Sequence, residues 1–240
     1  MKNNIKDIRI GTSGWTYDWN PNGFDWYIRR SGLNSVELNM SFYRFPFKNM
    51  IKSWARKTPE GFIWAVKVHQ SITHRLKFAG RSLEIWNSFK DRFSELLPKI
   101  RYFLFQLPPS FRPTGKLLEN LEYFINEVNL GESFVLEWRN TEWFSDEWIR
   151  WAKSLGITLC TVDSPELPRN VLKSSKHVYV RFHGRTFWYS HNYSQEELYE
   201  VIKAIIEANP EYIAIYFNND HHMLENALAA KSIITKLLGD

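Results

Sequence analysis

Short runs rich in β-branched and aromatic residues recur along this chain, and segments with helically spaced apolar residues separate most of them. Strands are expected at Ile8–Gly11, Ser35–Asn39, Phe62–Val68, Tyr102–Leu107, Phe134–Trp138, Thr158–Val162, His177–Phe182 and Ile213–Phe217. Strands that alternate with helices pair in parallel, because each return to the same edge needs a long right-handed crossover. Eight such units in 240 residues match an α/β fold, a TIM-type (β/α)8 barrel, as a single domain over residues 1–240.

The clearest helix runs from Ser194 to Ala208, where Leu198, Val201, Ile202, Ile205 and Ile206 share one stripe behind a Ser194/Glu197 capping box. Further helices are expected near Ser82–Leu97, Leu117–Val128 and Asp146–Ser154, with a last one capped by Asp220. Two places depart from the ideal. The first helix, Asp25–Ser31, is short, and Ser164–Lys176 between strands six and seven holds two prolines and no helical period.

Composition removes several alternatives. A hydrophobic fraction of 44% and a charged fraction of 24% exclude a disordered or fibrous chain. No apolar run suits a bilayer and the start lacks a signal-peptide core, so a cytoplasmic protein without a membrane partner is expected. One cysteine, Cys160, rules out an internal disulfide and is expected in the core. Between Ala65 and Arg101, eight Lys or Arg face three acids. That stretch is a solvated face or a contact for nucleic acid.

Barrels of this kind carry their chemistry at the C-terminal ends of the strands. Those ends read Thr12-Ser13-Gly14-Trp15, Glu37 with Asn39, Lys67 with His69, Gln106, Glu137 with Arg139, Thr161 with Asp163, Arg181 with His183, and Asn218-Asn219-Asp220. Residues two apart share one face of a strand, so these pairs are expected in the barrel mouth and Leu38, Val68, Trp138, Val162 and Phe182 under the helices. Buried charges are costly unless paired or used. The alternative to function is a self-compensating ring of ion pairs, Glu137 with Arg181 for example.

Several blocks in order, GTSGWTY (11–17), ELNMSFYRFP (37–46), KVHQSITH (67–74), FQLPPSF (105–111), EWRNTEWF (137–144), VDSP (162–165), YVRFHGR (179–185) and YFNND (216–220), resemble the recurrent blocks of the YecE-like family. The resemblance spans nearly the whole chain. It implies a TIM-type barrel with signature residues at the strand ends, and no reaction, since the family is known chiefly as a domain of unknown function.

Three chemistries compete for the mouth. The favoured one is acid–base catalysis on a small anionic substrate, phosphorylated or nucleotide-like, with no cofactor required. Lys67, Arg139 and Arg181 would bind the anion, and Glu37, Glu137 or Asp163 would act as acid or base with His69 or His183 as proton partner. Asn39, Gln106, Asn218 and Asn219 would orient the substrate, and Trp15 and Tyr43 would stack on it. The second is a divalent metal on Glu137, Asp163 and His183, an arrangement that looks like the xylose-isomerase and endonuclease IV type of barrel and would suit a phosphodiesterase. The third is nucleic-acid binding, with Arg75, Lys77 and Arg81 on phosphates, Phe78 beside them, and tryptophans near the mouth on an unpaired base. His74 is expected on a loop or helix surface.

Overall fold

A computed structural model describes residues 4–239. The chain runs β1 (Asp7–Thr12), α1 (Gly23–Arg30), β2 (Ser35–Leu38), α2 (Lys48–Lys57), β3 (Ile63–Lys67), α3 (Ser82–Arg92), β4 (Ile100–Gln106), α4 (Gly115–Val128), β5 (Phe134–Glu137), α5 (Asp146–Ser154), β6 (Thr158–Asp163), β7 (His177–Phe182), α6 (Gln195–Glu207), β8 (Tyr212–Phe217) and α7 (Met223–Gly239). The strands pair in parallel in the order β1-β8-β7-β6-β5-β4-β3-β2, a TIM barrel that is nearly closed. Every expected strand is present, within two residues at each end.

Between β6 and β7 no helix forms. Thr161 on β6 instead accepts a hydrogen bond from the Leu172 amide (2.8 Å) and the Ser174 hydroxyl accepts one from Leu159 (2.9 Å), so this segment lies against β6 where a helix would pack. Helix α2 escaped the sequence reading because its apolar face is narrow. Only Ile51 and Trp54 are buried in it.

Two apolar layers result. Small and aromatic residues fill the barrel interior: Ala65, Tyr102, Leu104, Val135, Cys160, Val162, Tyr179, Ala214 and Tyr216. Outward residues such as Val36, Leu38, Trp64, Val66, Phe105, Leu136, Val180 and Phe217 pack beneath the helices. Among the described residues no helix is long and apolar enough to cross a membrane.

The seam between β1 and β2 is closed mostly by side chains. The two strands share one isolated backbone bridge, Ser13 to Glu37. Asn34 takes the place of a strand, accepting from the Ile10 amide (2.9 Å) and donating to the Ile8 carbonyl (2.8 Å). The Tyr27 hydroxyl accepts from the Thr12 amide (3.0 Å) and donates to the Ser35 carbonyl (2.9 Å). So close an approach needs a residue without a Cβ: at Gly11 one would stand 2.3 Å from the Ser35 carbonyl oxygen. Gly11→Ala is therefore expected to cost about 1–3 kcal/mol, the usual range for overpacking. A urea titration with an unchanged midpoint would mean that the seam is not held as described.

Candidate functional site in the barrel mouth

Arg181, at the end of β7, is fully buried and organises the mouth. Its Nη2 and Nε donate to Glu37 Oε1 (2.7 and 3.1 Å), and its Nη1 donates to Glu137 Oε2 (2.7 Å). Nη2 also reaches Asn39 (3.3 Å). One guanidinium thus bridges two carboxylates from β2 and β5, which neither strand could tolerate alone inside a barrel. Ser13 (2.7 Å) and the Tyr179 hydroxyl (2.6 Å) donate to Glu37 as well, so that carboxylate is saturated.

The second arginine is placed differently. Arg139 donates its Nε to Glu137 Oε1, its Nη2 contacts His183 Nε2 (3.2 Å), and its guanidinium lies over the Trp188 ring, 4.6 Å from the centroid. Its side chain keeps 9% exposure, and Nη1 makes no hydrogen bond among the described residues. Arginine can only donate, so in the neutral ring His183 Nε2 accepts and Nδ1 carries the proton; the Asn218 side chain, whose Nδ2 stands 3.2 Å from Nδ1, pairs with that N–H only with its amide turned over to present the oxygen. Burial, together with Arg181, Arg139 and Lys67, holds the His183 pKa well below the usual histidine value, so the ring is neutral at neutral pH. Burial alone would raise Glu137, but Arg139, Arg181 and Lys67 outweigh it and hold the carboxyl at about 2. Two arginines match the two carboxylates, and Lys67 when protonated leaves the cluster short of negative charge.

The strand β7–α6 loop folds back over this cluster. Gly184 has φ +110°, and a Cβ there would lie 2.4 Å from the Phe187 carbonyl oxygen. The turn brings Trp188 and Tyr189 to 5.4 Å from the His183 ring. Rim residues Asn39, Gln106 and Asn218 stay half-buried. Gln106 stands in register with Glu137, and its side chain makes no hydrogen bond among the described residues. A small cavity of about 200 Å³ opens beside the cluster, lined by Ser13, Tyr17, Leu38 and Asn39 among others.

Several expected members lie elsewhere. In β6 the inward face is the opposite one: Val162 stands beside Arg181 in register and Asp163 beside Phe182. Asp163 therefore points under the helices, where Arg185 (3.0 Å) and the Tyr193 hydroxyl (2.8 Å) bind it. The set Glu137, Asp163 and His183 is not assembled, and among the described residues no three His, Cys, Asp or Glu side chains converge as metal ligands. Asn219 is buried against Asn226 (2.7 Å) and the His191 carbonyl (2.8 Å), outside the cluster. Trp15 packs in the outer core between Phe24, Trp54 and Trp64. His69 sits at the rim against Phe45 and accepts from the Ser71 amide (3.2 Å), and Tyr43 is 69% exposed. Phe78 is buried against Phe111 and Phe124, so it offers no stacking face beside Arg75 and Arg81.

Two participants escaped the sequence reading. Tyr179 precedes Arg181 by two residues, so the same period that placed Arg181 inside should have placed it. His74 lies in a wide helical turn (Ser71–Arg75), half-buried and edge-on to Phe42 at 4.9 Å. Burial, with Lys67 and Arg139, lowers its pKa to about 4. Nothing in a loop sequence marks such a residue as facing the mouth.

A family model described as a protein of unknown function, DUF72, matches residues 9–239. The UPF0759 protein YunF of Bacillus subtilis is 27% identical over 218 residues, 77% of each protein. The UPF0759 protein YecE of Escherichia coli K12 is 26% identical over 142 residues, 58% of this chain and 50% of that one. The crystal structure of a DUF72 family protein from Thermotoga maritima superposes with a TM-score of 0.86 at 26% identity, covering 98% of this chain and all of that one.

Proposed function

This chain belongs to the DUF72 family of proteins of unknown function, and from that premise we propose that it is an enzyme using acid–base chemistry on a small anionic substrate at the C-terminal mouth of the barrel. The observation that carries the reading is Arg139. It is held on three sides by Glu137, His183 and Trp188, yet keeps one pair of donors unused next to a cluster with excess positive charge. A guanidinium fixed in this way is pre-organised for a carboxylate or phosphate. His183, kept neutral, is the proton partner, and Arg139, donating to its Nε2, sets its tautomer. Arg181 and Glu37 use up their hydrogen-bonding capacity on the protein and position the other groups.

Inorganic phosphate should raise the thermal midpoint of the wild-type protein, by an amount that grows with the logarithm of its concentration above Kd. Arg139→Gln should weaken that binding about 10- to 100-fold, the worth of a charge-assisted hydrogen bond. Calorimetric titration of both proteins with phosphate and with a small carboxylate measures it. Equal affinity in the two proteins, or no heat in either, would refute an anion site on Arg139.

A further inference from the structure

Lys67 ends β3 with its side chain in the barrel mouth and is 8% exposed. Its ammonium nitrogen lies 4.2 Å from the Phe42 ring centroid and makes no hydrogen bond or ion pair among the described residues. The charged and titratable groups that face it are Arg181, Arg139, Glu37, Glu137, His74 and His183. Both glutamates are already engaged by arginine. A buried lysine set against cations, without a carboxylate of its own, gives up its proton readily, and the neutral amine is a nucleophile toward carbonyl carbon. Burial and Arg181 foremost, with Arg139 adding to them, bring the amine down to about 7.

We propose that Lys67 is a nucleophilic amine that forms a Schiff base with a small carbonyl compound carrying a carboxylate or phosphate. The proposal rests on the anion-site reading, with Arg139 holding the acidic group. The Nζ lone pair attacks the carbonyl carbon, a C–N bond forms, and the π pair moves to oxygen, which takes a proton to give a carbinolamine. That hydroxyl then leaves as water while the nitrogen lone pair closes the C=N bond. Both amine protons depart in the water, and nothing is oxidised or reduced. His74, which shares the Phe42 ring with Lys67 and has an unpartnered Nε2 among the described residues, passes the proton from nitrogen to the departing oxygen.

Glyoxylate, the smallest anionic aldehyde, tests this together with sodium cyanoborohydride and peptide mass mapping. One reduced adduct per chain is expected, on Lys67, with a rate that rises through a midpoint near neutral pH instead of the alkaline range of surface lysines. Lys67→Arg should lower the yield at that position about tenfold or more, since its guanidinium does not form stable imines. Lys67→Met, checked by circular dichroism for an intact barrel, should show only the background on surface lysines. Adducts spread over surface lysines at equal rates overturn the proposal. So does glyoxylate binding in calorimetry without an adduct on Lys67, a result that leaves the anion site standing. Absence of both binding and adduct removes the two together.

Discussion

Arg181→Met should lose about 3–5 kcal/mol of stability, because it leaves Glu37 and Glu137 buried together without the cation between them. Both carboxylates are fully buried, and Arg181 supplies three of the charge-assisted bonds that hold them. Arg139 still reaches Glu137, but Glu37 keeps only the neutral donors Ser13 and Tyr179. One of the acids then has to take up a proton to stay inside. The wild-type Glu137, held at about 2, binds its proton less readily folded than unfolded. It therefore adds stability above its unfolded value, and that share is lost as pH falls toward 2. In Arg181→Met this share shrinks, so acid unfolding should begin at higher pH. Removing all three charges as Glu37→Gln, Glu137→Gln and Arg181→Met should cost less than Arg181→Met alone, since no unpaired charge remains. Urea titrations of the three proteins at pH 7 and pH 4 measure this. An Arg181→Met midpoint within error of wild type would mean that the cluster is wetter than its burial implies.

The ion-pair ring expected from the sequence is present, and the proposed site is built on it. Glu137 with Arg181 is the ring, and Arg139 and Lys67 are the members it leaves with donors or a nitrogen lone pair to spare. Strand positions were legible because an interior strand must be short, β-branched and bounded by turns, and each of the eight obeys that rule. Which face turned inward was legible on four of the five strands where a polar pair flanked one apolar residue, β2, β3, β5 and β7. It failed on β6. There Thr161 and Asp163 form the polar pair, yet their partners lie outside: the Leu172 amide and Arg185 take up their hydrogen bonds beneath the loop and helices. Cys160 and Val162 are small enough to fill the narrow interior. Period alone gives the alternation and not its phase. Trp15 misled for a related reason. Its place just after β1 suggested the mouth, but three aromatic rings behind α1 and α2, Phe24, Trp54 and Trp64, offered more apolar contact than solvent could.

Lys67→Met should stabilise the protein at neutral pH, the opposite sign to Arg181→Met although the two side chains occupy one cluster. Arg181 meets two carboxylates; Lys67 meets two arginines and an aromatic face. Its amine binds a proton at 10.5 in the unfolded chain and at about 7 in the folded one, so protonation favours unfolding. Above 10.5 the amine is neutral in both states and the substitution should change little through charge. As pH falls from there the wild type pays an increasing penalty, which reaches its full size below about 7. From that shift the gain in Lys67→Met at pH 7 is about 2–4 kcal/mol, and it should fade toward pH 10. Chemical denaturation of the two proteins between pH 6 and pH 10 would show the difference closing as pH rises. A gain that stays constant with pH would trace to apolar packing alone, and a loss at pH 7 would mean that the ammonium is paired in solution. A side chain that costs the fold this much persists where it is used, which is why the stability experiment and the glyoxylate experiment address one residue from two sides.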